Sequence, residues 1–120
     1  MAAGLATIRA LGAGGVYERL EALGERLARG LLDGARRADV PLTVNRVGSM
    51  LTGFFCPGPV TDYQSAKRAD TERYARFFHA LCARGVYLAP SQFEAAFVSL
   101  AHTEGDIDTT VKAAAEALAS

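Results

Sequence analysis

The sequence predicts a small α+β fold, an antiparallel-rich sheet with helices packed on one face. Three observations point there. Apolar residues recur at helical spacing across Val16–Ala38, Asp70–Arg84 and Glu104–Ala119. Two β-rich runs, Leu42–Val47 and Met50–Phe55, flank Gly48-Ser49, a Gly-first pair that suits a II′ hairpin turn. The strand-like runs are joined tightly, which favours antiparallel neighbours.

Each element has its own warrant. Residues 1–11 are helix formers with Met1, Leu5, Ile8 and Leu11 at helical spacing. No capping Ser, Thr, Asp or Asn precedes them. A frayed terminus and a helix that starts further upstream both account for that. Gly12, Gly14 and Gly15 end this helix. Their Gly-x-Gly spacing follows a helix rather than a strand, so it reads as a C-cap and turn and not as a phosphate loop.

The next helix carries Val16, Leu20, Leu23, Leu27 and Leu31 on one face. Glu18, Arg19, Glu21, Glu25, Arg26 and Arg29 lie between them. Pro41 closes it. In the hairpin, Leu42, Val44 and Arg46 point to one face and Thr43, Asn45 and Val47 to the other. Pro57, Gly58 and Pro59 end the hairpin, and residues 60–69 form a polar connection with a short helical turn. Tyr74, Phe77, Phe78, Leu81 and Cys82 mark the next apolar stripe, with Asp70 as N-cap and Gly85 just past the C-terminus. Short strands are expected at Val86–Pro90 and Ala95–Ala101. Thr103 and Asp106 form a capping box before a last helix that buries Ile107, Val111, Ala114 and Leu118.

At 120 residues the chain fits one domain and can bury a core without disulfides. Thirteen basic and thirteen acidic residues cancel. That balance gives no general attraction to nucleic acid or to an anionic membrane. No apolar run reaches the roughly 18 residues of a membrane span. Without a signal-peptide pattern at the start, a cytoplasmic location is expected. Cys56 and Cys82 are expected as reduced, buried thiols.

Chemistry is sparse. His79 and His102 have no ligand partners at metal spacing, so no metal is expected. Ser91 and Ser99 lack a nucleophile elbow. Lys67 and Lys112 are the only lysines, and both sit among polar neighbours. A Schiff-base lysine needs a desolvated or charge-tuned environment. From the residues alone, the chain is not a complete enzyme.

One stretch stands out. "GVYLAPSQFEAAFVSLAHTEGDID" places the single carboxylate Glu94 in an apolar, small-residue run. It resembles the C-terminal segment of glutamate-1-semialdehyde 2,1-aminomutase, a pyridoxal-phosphate enzyme of the class III aminotransferases. "VNRVGSMLTGFF" resembles that family's hairpin, and "VTDYQSAKRADTERYARFFHALCARG" its linker and Phe-Phe-His helix. "MAAGLATIRAL" resembles the helix that leaves its large domain. The likeness covers essentially the whole chain. Ala96 stands where the family usually has Gly, and Gly105 where an acidic residue is usual. The Arg-Leu-Ala-Pro-Pro-type strand of general ω-transaminases is absent.

The resemblance implies the small C-terminal domain of the aspartate-aminotransferase fold (fold type I), with residues 1–11 the tail of a helix from a missing large domain. It implies a homodimeric enzyme that binds pyridoxal phosphate and converts glutamate 1-semialdehyde to 5-aminolevulinate, a tetrapyrrole precursor. The cofactor lysine and phosphate-binding residues would lie in the missing part, so no cofactor is expected on this chain alone, and the chain alone is expected to be inactive. The alternative is a non-catalytic α+β module for dimerisation or partner binding; exposed apolar surface discriminates the two. From spacing alone, Glu94 reads as a solvent-facing strand-edge carboxylate. The resemblance instead sets it near substrate and cofactor, where it would hold the ammonium of the diamino intermediate. Ser91 and Gln92 would shape the same wall.

Overall fold

The computed structural model describes residues 2–119, so the reading of Met1 falls outside the described residues. Eight elements follow one another: α1 (Ala2–Leu11), α2 (Val16–Arg37), β1 (Thr43–Val47), β2 (Met50–Phe54), α3 (Tyr63–Ala66), α4 (Thr71–Ala83), β3 (Ala96–Phe97) and α5 (Glu104–Ala119). The three strands pair antiparallel in the order β1-β2-β3. The α+β reading therefore holds.

The hairpin turns as its sequence requires. Gly48 has φ 56°, while Ser49 is not left-handed. A positive φ at the first turn position alone is the II′ pattern. The register pairs Val44 with Gly53 and Arg46 with Leu51, so these four positions share the face toward the helices. There Leu51 meets Leu23 and Leu27 of α2, Ile107 of α5 and Val98. Arg46 reaches Glu21 of α2 at 2.9 Å.

The opposite face of the sheet is covered at one end by the chain that follows β2, including the short helix α3. The Thr43 hydroxyl donates to the Cys56 carbonyl at 2.9 Å, and Asn45 donates to the Val60 carbonyl at 2.7 Å. Phe54, Cys56, Val60, Ala66 and Ala69 form a small apolar cluster under this strap. Asp62 caps α3, accepting from the Ser65 N–H at 2.7 Å, and the Ser65 hydroxyl accepts back from the Asp62 N–H.

The main core lies between α2, α4 and α5, around Leu81, which is 0% exposed. Phe55 sets its ring edge-on to Phe77 at 5.3 Å and to Tyr74 at 6.2 Å. Such pairs contribute about 0.5–1.5 kcal/mol beyond burial. Small residues let α2 and α5 approach: Gly30 faces Val111, and Gly34 faces Ala115. Arg26 of α2 makes two parallel hydrogen bonds to Asp108 of α5.

The caps follow the sequence. Asp70 accepts from the Arg73 N–H, and Thr103 and Asp106 bond reciprocally. Past α4, Gly85 (φ 82°) closes a Schellman motif, with Val86 N–H on the Leu81 carbonyl and Gly85 N–H on the Cys82 carbonyl.

Three expectations are corrected. Val86–Pro90 forms no strand, because β2 gives its free edge to β3 and Pro90 carries no N–H for a ladder. The run expected at Ala95–Ala101 is extended and paired only at Ala96–Phe97. Cys82 is exposed, since the buried stripe of α4 is Tyr74, Phe77 and Leu81; Cys56 is buried, and both thiols are free. Among the described residues no helix is long and apolar enough to cross a membrane.

Candidate functional site

The segment that leads from α4 to β3 carries the residues the sequence singled out. Val86 and Leu88 pack against the main core, while Tyr87 is 74% exposed. Pro90 then holds φ near its ring-locked value. Ser91 builds the next turn with its own groups. Its hydroxyl accepts from the Phe93 N–H, and its carbonyl accepts from the Glu94 N–H, both at 3.2 Å. A Ser used this way spends its acceptor atoms on local structure.

Gln92 is buried, at 2% exposure. Its Oε1 lies 3.5 Å from the Phe55 N–H, a long hydrogen bond, and its Nε2 has no partner among the described residues. Phe93 is partly exposed and sits 6.3 Å from the Tyr63 ring, over which Lys67 places its ammonium at 5.0 Å. Glu94 itself is exposed, and its carboxylate makes no hydrogen bond or ion pair among the described residues.

Beneath this segment lies an apolar cavity of about 60 Å³ between the sheet and the helices. Leu51, Phe55, Phe77 and Leu81 form its buried wall, and among the described residues Glu94 is the one charged residue that lines it. A charged substrate would gain nothing by entering such a hollow. Any chemistry at Glu94 belongs on its solvent side.

Tyr74 connects the segment to the core. Its hydroxyl donates to the Ala89 carbonyl. Burial, and then the negative charge of Glu94, push its pKa up, so the phenol remains a donor at neutral pH. The sequence pattern marked Tyr74 only as a core residue. The missed signal is that a Tyr on a buried stripe needs an acceptor for its hydroxyl.

The other candidates stay apart from Glu94. His79 lies edge-on to Phe78 at 5.5 Å and is exposed. His102 Nδ1 accepts from the Ser99 N–H at 3.0 Å. Among the described residues no group of His, Cys, Asp or Glu could hold a metal ion. Lys67 and Lys112 are both exposed, so neither sits in the desolvated pocket that a Schiff base needs.

A broad apolar surface is left open. Leu5, Ile8 and Leu11 of α1, with Tyr17, lie on one stretch, and α1 buries no residue. Val47, Met50 and Phe97 stand together on the outer face of the sheet, where Met50 pairs with Phe97.

No protein-family model matches the chain. It is 58% identical over 120 residues to a glutamate-1-semialdehyde 2,1-aminomutase of Myxococcus xanthus, and 56% identical over 117 residues to that of Desulforudis audaxviator. These matches take in 100% and 98% of this chain but 28% and 27% of the relatives, so the chain spans just over a quarter of their length. Among solved structures, an omega-transaminase from Sphaerobacter thermophilus superposes on 97% of this chain and 26% of its own, with TM-score 0.86 and 30% identity. The fold is shared with aminotransferases of fold type I, and the sequence matches aminomutases along its whole length.

Proposed function

We propose that this chain serves as the small domain of a glutamate-1-semialdehyde 2,1-aminomutase, where it forms one wall of the site that converts glutamate 1-semialdehyde to 5-aminolevulinate. The observation that carries the reading is the identity of 50–58% to proteins of that name across essentially the whole chain. The likeness to the transaminase at 30% supports the fold, and the higher identity favours the mutase over a general transaminase.

On this reading pyridoxal phosphate is held by a large domain outside these 120 residues, in a homodimeric enzyme. The open apolar surface supports that arrangement, since a monomeric domain seldom exposes so many large apolar side chains together. Helix α1 would run into the large domain. Glu94 is the residue with chemistry to offer. It is a carboxylate without a hydrogen-bonding partner among the described residues, on the rim of the segment that also shows Phe93. There it would accept a charge-assisted hydrogen bond from the ammonium of the substrate. Ser91 shapes the turn beneath it and is a weaker candidate for substrate contact, because its acceptor atoms already serve the turn.

The test is a graft. The matched portion of the 58%-identical relative is replaced by this chain, and conversion of glutamate 1-semialdehyde to 5-aminolevulinate is measured. A graft that binds cofactor and turns over supports the reading. A graft that folds and binds cofactor but does not turn over contradicts it.

A further inference from the structure

Between Val86 and Ala96 the chain joins no sheet ladder, yet it carries the carboxylate on which the proposed activity depends. Among the described residues, only two hydrogen bonds tie positions 87–95 to other elements. One runs from the Tyr74 hydroxyl to the Ala89 carbonyl, and the other, at 3.5 Å, from the Phe55 N–H to Gln92 Oε1. The donor of the first stands on α4, wedged against Phe55 and Phe77.

We propose that Tyr74 is a positioning residue for Glu94: its hydroxyl pins the Ala89 carbonyl and so sets where the carboxylate stands. The inference deepens the aminomutase reading and rests on it. The linkage from pin to carboxylate is short and stiff. Ala89 is joined to Pro90, whose φ is locked by its ring. Ser91 follows, and its hydroxyl and carbonyl close the turn onto Phe93 and Glu94. Few free torsions remain between the pinned carbonyl and the Glu94 backbone. Tyr74, Ala89 and Glu94 also line the same apolar cavity.

Tyr74→Phe keeps the ring and removes only the pin. In this chain, amide hydrogen exchange at Phe93 and Glu94 is expected to rise about fivefold, the change that loss of one hydrogen bond permits. Exchange in α2 should stay as it is, and Tyr87→Phe, on an exposed ring, should change nothing. Unaltered exchange at Phe93 and Glu94 would overturn the proposal. In the grafted enzyme, Tyr74→Phe is expected to lower kcat/KM several-fold beside Glu94, and to lower it no further in a Glu94→Gln background. Independent, multiplying losses would show that Tyr74 does not act through Glu94. Should Glu94→Gln alone leave kcat/KM untouched, the aminomutase role of Glu94 fails, while the exchange experiment still decides whether Tyr74 holds the segment.

Discussion

Gly24 on α2 and Gly48 at the hairpin tip approach so closely that a Cβ on Gly24 would lie 2.4 Å from the Gly48 carbonyl oxygen. The obstacle is backbone at a turn with φ 56°, which cannot swing aside as a side chain can. Gly24→Ala is therefore expected to destabilise the fold by about 1–3 kcal/mol, the usual cost of overpacking. Gly53 is the opposite case. Its Cβ would meet only Leu42 Cδ1 at 3.5 Å, at the edge of the apolar cavity. Gly53→Ala is expected to stabilise by about 0.4–1 kcal/mol, by restricting the unfolded chain. Urea unfolding midpoints check both signs, and a stabilising Gly24→Ala would show that the helix and hairpin do not meet as described.

Asp39 ends α2 in the left-handed conformation, φ 56°. It occupies the position that glycine usually takes in a Schellman motif, with the Val40 N–H on the Ala35 carbonyl and the Asp39 N–H on the Arg36 carbonyl. An L-residue pays a steric cost there that glycine avoids. Asp39→Gly should raise stability by a few tenths to about 1 kcal/mol. A fall in the unfolding midpoint would mean that the Asp39 side chain contributes more than its backbone costs.

Arg26 and Asp108 fasten α2 to α5 from outside, at 2.7 and 2.8 Å. The hydrogen bond from Arg26, followed by its charge, holds the Asp108 carboxyl below its ordinary value. The depressed carboxyl stabilises the fold above the unfolded-state pKa, near 3.9. That contribution is lost as pH falls through the lower folded-state value. Asp106, bonded by the Thr103 backbone and hydroxyl, and Asp62, bonded by Ser65, shift in the same direction. Asp108→Asn should lower Tm at neutral pH, and the deficit should shrink as pH falls through the folded-state value. A deficit that does not shrink would contradict the account.

Much of this architecture was legible in the sequence. Long helical stripes, the Gly48-Ser49 turn and the caps at Asp70, Gly85 and Thr103 each rest on local rules that no distant contact overrides. The segment from Val86 to Pro90 misled for a physical reason. Its apolar residues are present because Val86 and Leu88 pack on the core, and apolar burial alone does not require a strand. Which edge of β2 remained free was a tertiary fact. Glu94 divides the same way: spacing marked it as a solvent-facing carboxylate, and it is exposed, but the Tyr74 hydrogen bond to its segment could not be read from neighbours along the chain.

Lys67 and Lys112 lie in the open, Lys67 against the face of Tyr63. Pyridoxal phosphate added to this chain and trapped with borohydride should give only scattered, substoichiometric labelling. A one-to-one adduct on a single lysine, located by peptide mapping, would reveal a cofactor site that these exposed positions do not suggest.

Glu94→Gln in the grafted enzyme, followed by steady-state and single-turnover kinetics, tests the central claim most directly. The substitution keeps size and hydrogen-bonding reach and removes only the charge. The account predicts bound cofactor and weaker handling of the substrate ammonium, by about 1–3 kcal/mol for a charged hydrogen bond. Kinetics indistinguishable from those of the unsubstituted graft would contradict it and leave Glu94 a solvent-facing carboxylate.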